Sequence, residues 1–188
     1  MTLGPLIVIS GPSGSGKSTL VRRLLADPPG PMRLSVSVTT RSPRTMEKDG
    51  VDYHYWTPER VREEIARDGF LEWADVFGNY YGTLKVEVDP FRALGMGVVL
   101  EIDVNGWAQV KEKCADAVSI FIRTSSLEVL AERLRRRRSE TDETMKRRLD
   151  GARVELARTG EYHHQVVNDD LEAALSNLKS IISPLYAR

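Results

Sequence analysis

Eight consecutive residues, Gly11-Pro12-Ser13-Gly14-Ser15-Gly16-Lys17-Ser18, fit the spacing G-x-x-x-x-G-K-[ST]. The glycines let successive backbone N–H groups face one concavity, and a helix starting there adds the positive end of its dipole, so phosphate oxygens can be held. Lys17 can then bridge β- and γ-phosphates, and the hydroxyl of Ser18, followed by Thr19, can ligate Mg²⁺. Such a pattern arises by accident in on the order of one chain in a hundred of this length. The elements on either side decide against accident: an apolar run precedes the motif and a helical pattern follows it.

Two further groups of residues could do chemistry with phosphate. Ser35-Val36-Ser37-Val38-Thr39-Thr40-Arg41-Ser42-Pro43-Arg44 puts two arginines and several hydroxyls in one short stretch, a grip suited to a phosphate dianion. Phe70-Leu71-Glu72-Trp73-Ala74 and then Gly78-Asn79-Tyr80-Tyr81-Gly82-Thr83 add a carboxylate and paired tyrosines, of which Tyr80 is expected to be the core aromatic. The arginine run from Arg135 to Arg138 could be a nucleic-acid patch or a solvated helix face, and a net charge of zero does not support the first. His54, His163 and His164 lack metal-ligand spacing, Trp56, Trp73 and Trp107 read as packing residues, and Cys114 as an inert thiol.

The positioning elements follow from periodicity. Leu6-Ile7-Val8-Ile9 is a β-branched run without polar alternation, as expected of a parallel strand covered on both faces. Leu20, Leu24 and Leu25 recur at helical spacing after the glycine motif, and Asp27-Pro28-Pro29-Gly30-Pro31 ends that helix. Leu34 to Val38 reads as one short strand. Thr57 is an N-cap with Pro58 at the first helical position, and that helix should run to about Arg67 before Gly69 closes it. Further strands are expected from Val98 into Asp103, from Val118 to Ile122 and from Gln165 to Asn168; a last helix should keep Leu171, Leu175, Leu178, Ile182 and Leu185 on one face. Strands alternating with helices give a three-layer α/β fold with a parallel sheet, and the stretch from Ser37 to Thr83 breaks the rhythm as an insertion beside the core.

Composition bounds the rest. The chain has 188 residues, 41% hydrophobic and 29% charged, enough for one domain and too few for two ordinary ones. Its 27 basic and 27 acidic side chains cancel, which argues against a surface built for nucleic acid. A single cysteine excludes an intramolecular disulfide, and no apolar stretch approaches the roughly 18 residues of a membrane helix, so a soluble, cytoplasmic protein with no membrane partner is expected. A glycine cradle alone leaves GTPase, ATPase motor and small-molecule kinase open. The chain lacks the Asn-Lys-x-Asp motif of GTPases and the length of most motors, which leaves a small kinase.

Taken together, GPSGSGKST, SVSVTTRSPR, GVDYHYW, FLEWADVFGNYYGT, LEIDVNG, the arginine-rich segment and VVNDD resemble the guanylate kinase family over essentially the whole chain. The resemblance implies a P-loop NTPase core (about 1–36, 84–125 and 160–188), a small α+β GMP-binding insertion (about 37–83) and a helical lid (about 126–159). It implies ATP-dependent phosphorylation of GMP, and of dGMP, with Mg²⁺ as cofactor. By position it assigns ATP to residues Gly11 through Thr19 and Asn168. It assigns the GMP phosphate to Arg41, Arg44, Tyr53 and Tyr81, the guanine to Ser37, Glu72 and Thr83, and further GMP contacts to Glu101 and Asp103. Lys17, Arg41, Arg133, Arg137 and Arg148 take the catalytic role, and Ser18 the metal, with Asp103 acting through water. The family commonly has Asp where this chain has Glu101, and Gly where it has Met46 and Arg138. Competing readings are a P-loop kinase acting on another phosphorylated small molecule and a non-catalytic binding module of the same fold.

Overall fold

The computed structural model describes residues 2–136 and 142–187. At its centre lies β1 (Leu6–Ser10), flanked by β7 (Gly97–Glu101) and β8 (Val118–Arg123), with β2 (Met32–Leu34) and β9 (His164–Val167) outermost. All four pairings in this five-stranded sheet are parallel. Because side chains alternate along a strand, both faces of β1 need apolar residues. Leu6 and Val8 pack with Trp107 and Val110 of α4 (Val104–Lys113), while Ile7 and Ile9 pack with Leu20 and Leu24 of α1 (Lys17–Ala26). The second layer is completed by Leu175 and Leu178 of α7 (Leu171–Ile182).

The expected strand from Leu34 to Val38 is two strands in two sheets. Ser35 N–H still donates to the Val99 carbonyl of the large sheet, but β3 (Val38–Thr39) pairs with β6 (Asn79–Leu84) of a second, four-stranded sheet. That sheet runs β4-β3-β6-β5, with β4 (His54–Tyr55) and β5 (Phe70–Val76) at its edges. The β5–β6 hairpin turns at Phe77 and Gly78 with φ of 53° and 80°, the positive pair that a tight primed turn requires. The helix α2 (Pro58–Ala66) has the expected cap, Thr57 Oγ1 accepting from Arg60 N–H, but the left-handed residue beyond it is Asp68 rather than Gly69. The last helix stops at Ile182 because Pro184 follows; a 3₁₀ turn, Ser183–Tyr186, carries Leu185 back onto the same core.

Between β8 and β9, α5 (Leu127–Arg135) and α6 (Asp142–Ala157) pack through Leu130, Leu134, Leu149 and Ala152. No helix among the described residues is long and apolar enough to cross a membrane.

Candidate active site

The glycine loop is shaped by close approach as much as by turning. A Cβ on Gly11, at φ 148°, would stand 2.1 Å from the Ile122 carbonyl oxygen, and one on Gly16, at φ 86°, 2.3 Å from Asn168 Nδ2. Gly16 occupies the N-cap position of α1 without a capping side chain; Thr19 N–H turns back to the Gly16 carbonyl at 3.1 Å, and the Lys17 and Ser18 N–H groups are left to an external acceptor. Asn168 holds the loop from behind, its buried amide donating to the Ser15 carbonyl at 2.7 Å.

In front of this loop is a cavity of about 460 Å³. One wall is the loop with Lys17, Ser18 and Thr19; the opposite wall is the small sheet, through Ser37, Tyr53, Glu72, Ala74, Val76 and Tyr81. Glu101, at the end of β7, and Asp103 just beyond it lie between the two, and Glu155 reaches in from α6. The two sheets thus face each other across one space large enough for phosphate groups from both sides, joined where Leu71 of β5 packs into the core beneath α4.

Charge is distributed unevenly in that space. The Ser18 hydroxyl donates to Glu101 Oε1 at 2.5 Å, and Lys17 Nζ lies 3.8 Å from the same oxygen. Arg148 Nη1 donates to Ser13 Oγ at 3.2 Å, and Arg133, bonded to the Asp169 carbonyl at 3.1 Å, has its Nη1 3.8 Å from where a Cβ on Gly16 would stand, so α5 and α6 each bring a guanidinium to the loop. Glu72 is 6% exposed and accepts from the Thr83 hydroxyl at 2.7 Å. Burial pushes its carboxyl up to about 7; the Thr83 hydroxyl opposes the shift and the charge of Asp103 adds to it. Burial also raises Glu155, against the pull of Lys17.

A phosphate cradle thus faces a buried carboxylate across one cavity. The guanylate kinase family model matches residues 4–185. The chain belongs to the guanylate kinase family. It is 46% identical over 179 residues to a guanylate kinase of Clostridium perfringens strain SM101, covering 95% of this chain and 82% of that protein. It is 48% identical to one of Neisseria gonorrhoeae and 49% to one of Gloeobacter violaceus, each over 180 residues, 96% of this chain and 87% of theirs. The crystal structure of guanylate kinase from Anaplasma phagocytophilum superposes with a TM-score of 0.80 at 30% identity, covering all of this chain and 88% of that one.

Within this guanylate kinase fold, most residues singled out by sequence converge on the cavity: Gly11, Pro12, Ser13, Gly14, Gly16, Lys17, Ser18, Thr19, Ser37, Tyr53, Glu72, Tyr81, Glu101 and Asp103. Others stand one layer back. Ser15 is buried inside the loop, Thr83 acts on Glu72, and Asn168 braces the loop backbone. Arg41 and Arg44 sit in the loop after β3, where Arg41 is bonded to Glu47. Glu101 lies against Ser18, while the Asp103 carboxylate caps α4, accepting from the N–H groups of Asn105 and Gly106. Arg137 and Arg138 lie outside the described residues. Tyr80 packs beside the small core formed by Val38, Val61, Phe70 and Leu84, leaving Tyr81 to the cavity. Sequence reasoning missed Glu155 and Glu47. For Glu155 a signal existed, since Arg148 lies seven residues earlier, two turns back on the same helical face.

Proposed function

We propose that this chain transfers the γ-phosphoryl group of ATP to the phosphate of GMP, and of dGMP, giving ADP and the corresponding nucleoside diphosphate. The observation that carries the reading is Glu72: a buried carboxylate, held by Thr83, in the same cavity as the glycine cradle. Guanine presents N1–H and a 2-amino group on one edge, and a carboxylate can accept from both; adenine has a bare acceptor there. A site built to hydrogen-bond a substrate group rejects an analogue lacking it by orders of magnitude.

The roles follow from charge. An oxygen of the GMP phosphate attacks the γ-phosphorus as the bond to the β–γ bridging oxygen breaks, and negative charge spreads over the equatorial oxygens and the leaving ADP. Lys17 and the α1 N-terminus neutralise that charge from the loop side, and Arg133 of α5 and Arg148 of α6 from the other; Arg137 is given the same role by the family resemblance alone. Arg41, Arg44, Tyr53 and Tyr81 hold the acceptor phosphate; Ser37 and Thr83 complete the base site around Glu72, with Asp103 beside it.

The Ser18 hydroxyl and the Glu101 carboxylate, two hard oxygen donors 2.5 Å apart beside Lys17, fit a magnesium ion that takes its remaining ligands from water and nucleotide phosphates. When bound, Mg²⁺ would neutralise β- and γ-phosphate charge, with Asp103 acting through water. Glu101, one methylene longer than the family's usual Asp, reaches the Ser18 hydroxyl directly.

A coupled ADP-release assay across GMP, dGMP, AMP, UMP and CMP tests the reading. GMP and dGMP should be turned over at least a thousandfold more efficiently than the others. Preference for another acceptor would make this a P-loop kinase of different specificity, and no turnover of any would favour a binding module.

A further inference from the structure

The loop joining β3 to β4 carries both arginines of the acceptor-phosphate grip, yet a carboxylate sits in its middle. Glu47 takes four hydrogen bonds from three donors: Arg41 Nη2 to Oε1 at 3.0 Å and to Oε2 at 2.9 Å, the Arg44 backbone N–H to Oε2 at 2.8 Å and the Tyr55 hydroxyl to Oε2 at 2.9 Å. The Arg44 N–H above all, with Tyr55 and Arg41 adding to it against the effect of burial, holds its carboxyl down at about 2, so it is charged at any working pH.

An acid beside an anion site weakens it by repulsion unless it does something else for the arginines. Here it fixes one of them. Arg41 spends Nη2 on Glu47 and one Nη1 hydrogen on the Ser42 carbonyl at 2.7 Å. Its guanidinium then lies 5.6 Å from the centre of the Tyr53 ring, with Tyr81 beside it. The same carboxylate anchors Tyr55, whose ring meets Tyr53 edge-on at 6.0 Å, as Tyr53 meets Tyr81 at 6.2 Å. Tyr53 and Tyr81 line the cavity; Glu47 does not.

We propose that Glu47 is a positioning residue for the acceptor phosphate, acting through Arg41 and Tyr55 without touching the nucleotide. The proposal rests on the reading that GMP is the acceptor and that its phosphate is held by Arg41, Arg44, Tyr53 and Tyr81. A long arginine left without this carboxylate samples many rotamers that must be frozen when the phosphate binds. The Coulomb gain from removing one negative charge at the edge of the site is blunted by solvent and salt.

The experiment is calorimetric titration of wild type, Glu47→Gln and Tyr55→Phe with GMP and with guanosine, alongside steady-state kinetics. Wild type should bind GMP far more tightly than guanosine. Glu47→Gln should weaken GMP roughly tenfold, leave guanosine unchanged and raise the GMP KM while kcat and the ATP KM stay within about twofold. Tyr55→Phe keeps the charge but removes one of its anchors, and should weaken GMP a few-fold in the same phosphate-dependent way. Unchanged or tighter GMP binding by Glu47→Gln overturns the proposal, as does an equal loss for guanosine, which would mark a general collapse of the loop. If wild type gains nothing from the phosphate of GMP, the acceptor-site reading itself fails; if the gain is present but indifferent to both variants, only the role of Glu47 fails.

Discussion

Replacing Glu72 with Gln should make the protein more stable at alkaline pH while impairing its use of GMP. The folded state holds this carboxyl at about 7, against an ordinary 4.5, because burial disfavours its charged form. Below 4.5 the group is protonated in both folded and unfolded chains, and the raised value costs nothing. Between 4.5 and 7 the unfolded chain releases the proton while the folded one keeps it, so stability falls as pH rises; above 7 the full loss is present. At about 1.4 kcal/mol per pH unit, the interval corresponds to roughly 3 kcal/mol. Gln keeps an oxygen for the Thr83 hydroxyl and has no proton to lose. Urea unfolding of both proteins at pH 4.5 and pH 8 should therefore show the variant gaining on wild type by up to roughly 3 kcal/mol between the two, with every other titrating group cancelling in the comparison. GMP affinity should move the opposite way, since only the carboxylate accepts from both guanine donors. The advantage of wild type over Glu72→Gln in GMP binding should grow by up to tenfold per pH unit from pH 5 to 7 and then level off. A stability gap that is the same at both pH values would refute the reasoning, because Glu72 would then ionise as it does in the unfolded chain.

Lys17→Ala should lower kcat with ATP and GMP by three orders of magnitude or more and leave the melting temperature within a few degrees, measured by coupled assay and thermal denaturation. Arg44→Ala and Tyr81→Phe should each raise the GMP KM, the arginine change more, because charge-assisted bonds to phosphate are roughly twice as strong as neutral ones. Phe77 is 87% exposed at φ 53°, a conformation that suits Asn far better, so Phe77→Asn should stabilise the β5–β6 hairpin by about 1 kcal/mol in denaturant titration without changing the GMP KM.

The parts of the site that were legible in the sequence are those where backbone geometry dictates residue type. The glycine motif reads directly because Gly11 and Gly16 have no room for a Cβ, and the buried strand before it because both of its faces must be apolar. The small sheet was harder. β3 and β4 are two residues each, too short for alternation to register, and the run from Ser35 to Val38 looks continuous although the chain changes sheets within it. Residues 70 to 84 carried chemistry visible in their types, but nothing in the dipeptide Phe77-Gly78 announces the turn as Asn-Gly would. Glu47 and Glu155 look like ordinary surface acids; only the fold brings one onto Arg41 and the other into the cavity beside Lys17.

The small sheet leaves and rejoins the large one at a single neck. Ser35 still bonds to β7 as the chain departs, and Arg33, just before the exit, meets Glu87, just after the return, at 2.7 Å; His54 of β4 lies 3.0 Å from the same carboxylate. Apart from Glu101 and Asp103, every side chain assigned to the acceptor therefore comes from one uninterrupted stretch whose ends meet, while the donor grip is made of strands and helices outside it. On the proposed assignment of these residues, acceptor choice is a cassette. Exchanging residues 37–84 between kinases of this architecture, with the neck ion pair and the bonds from Gln109 and Lys113 of α4 to the β5 backbone retained as the seam, would transplant a new acceptor onto the same machine for handling ATP.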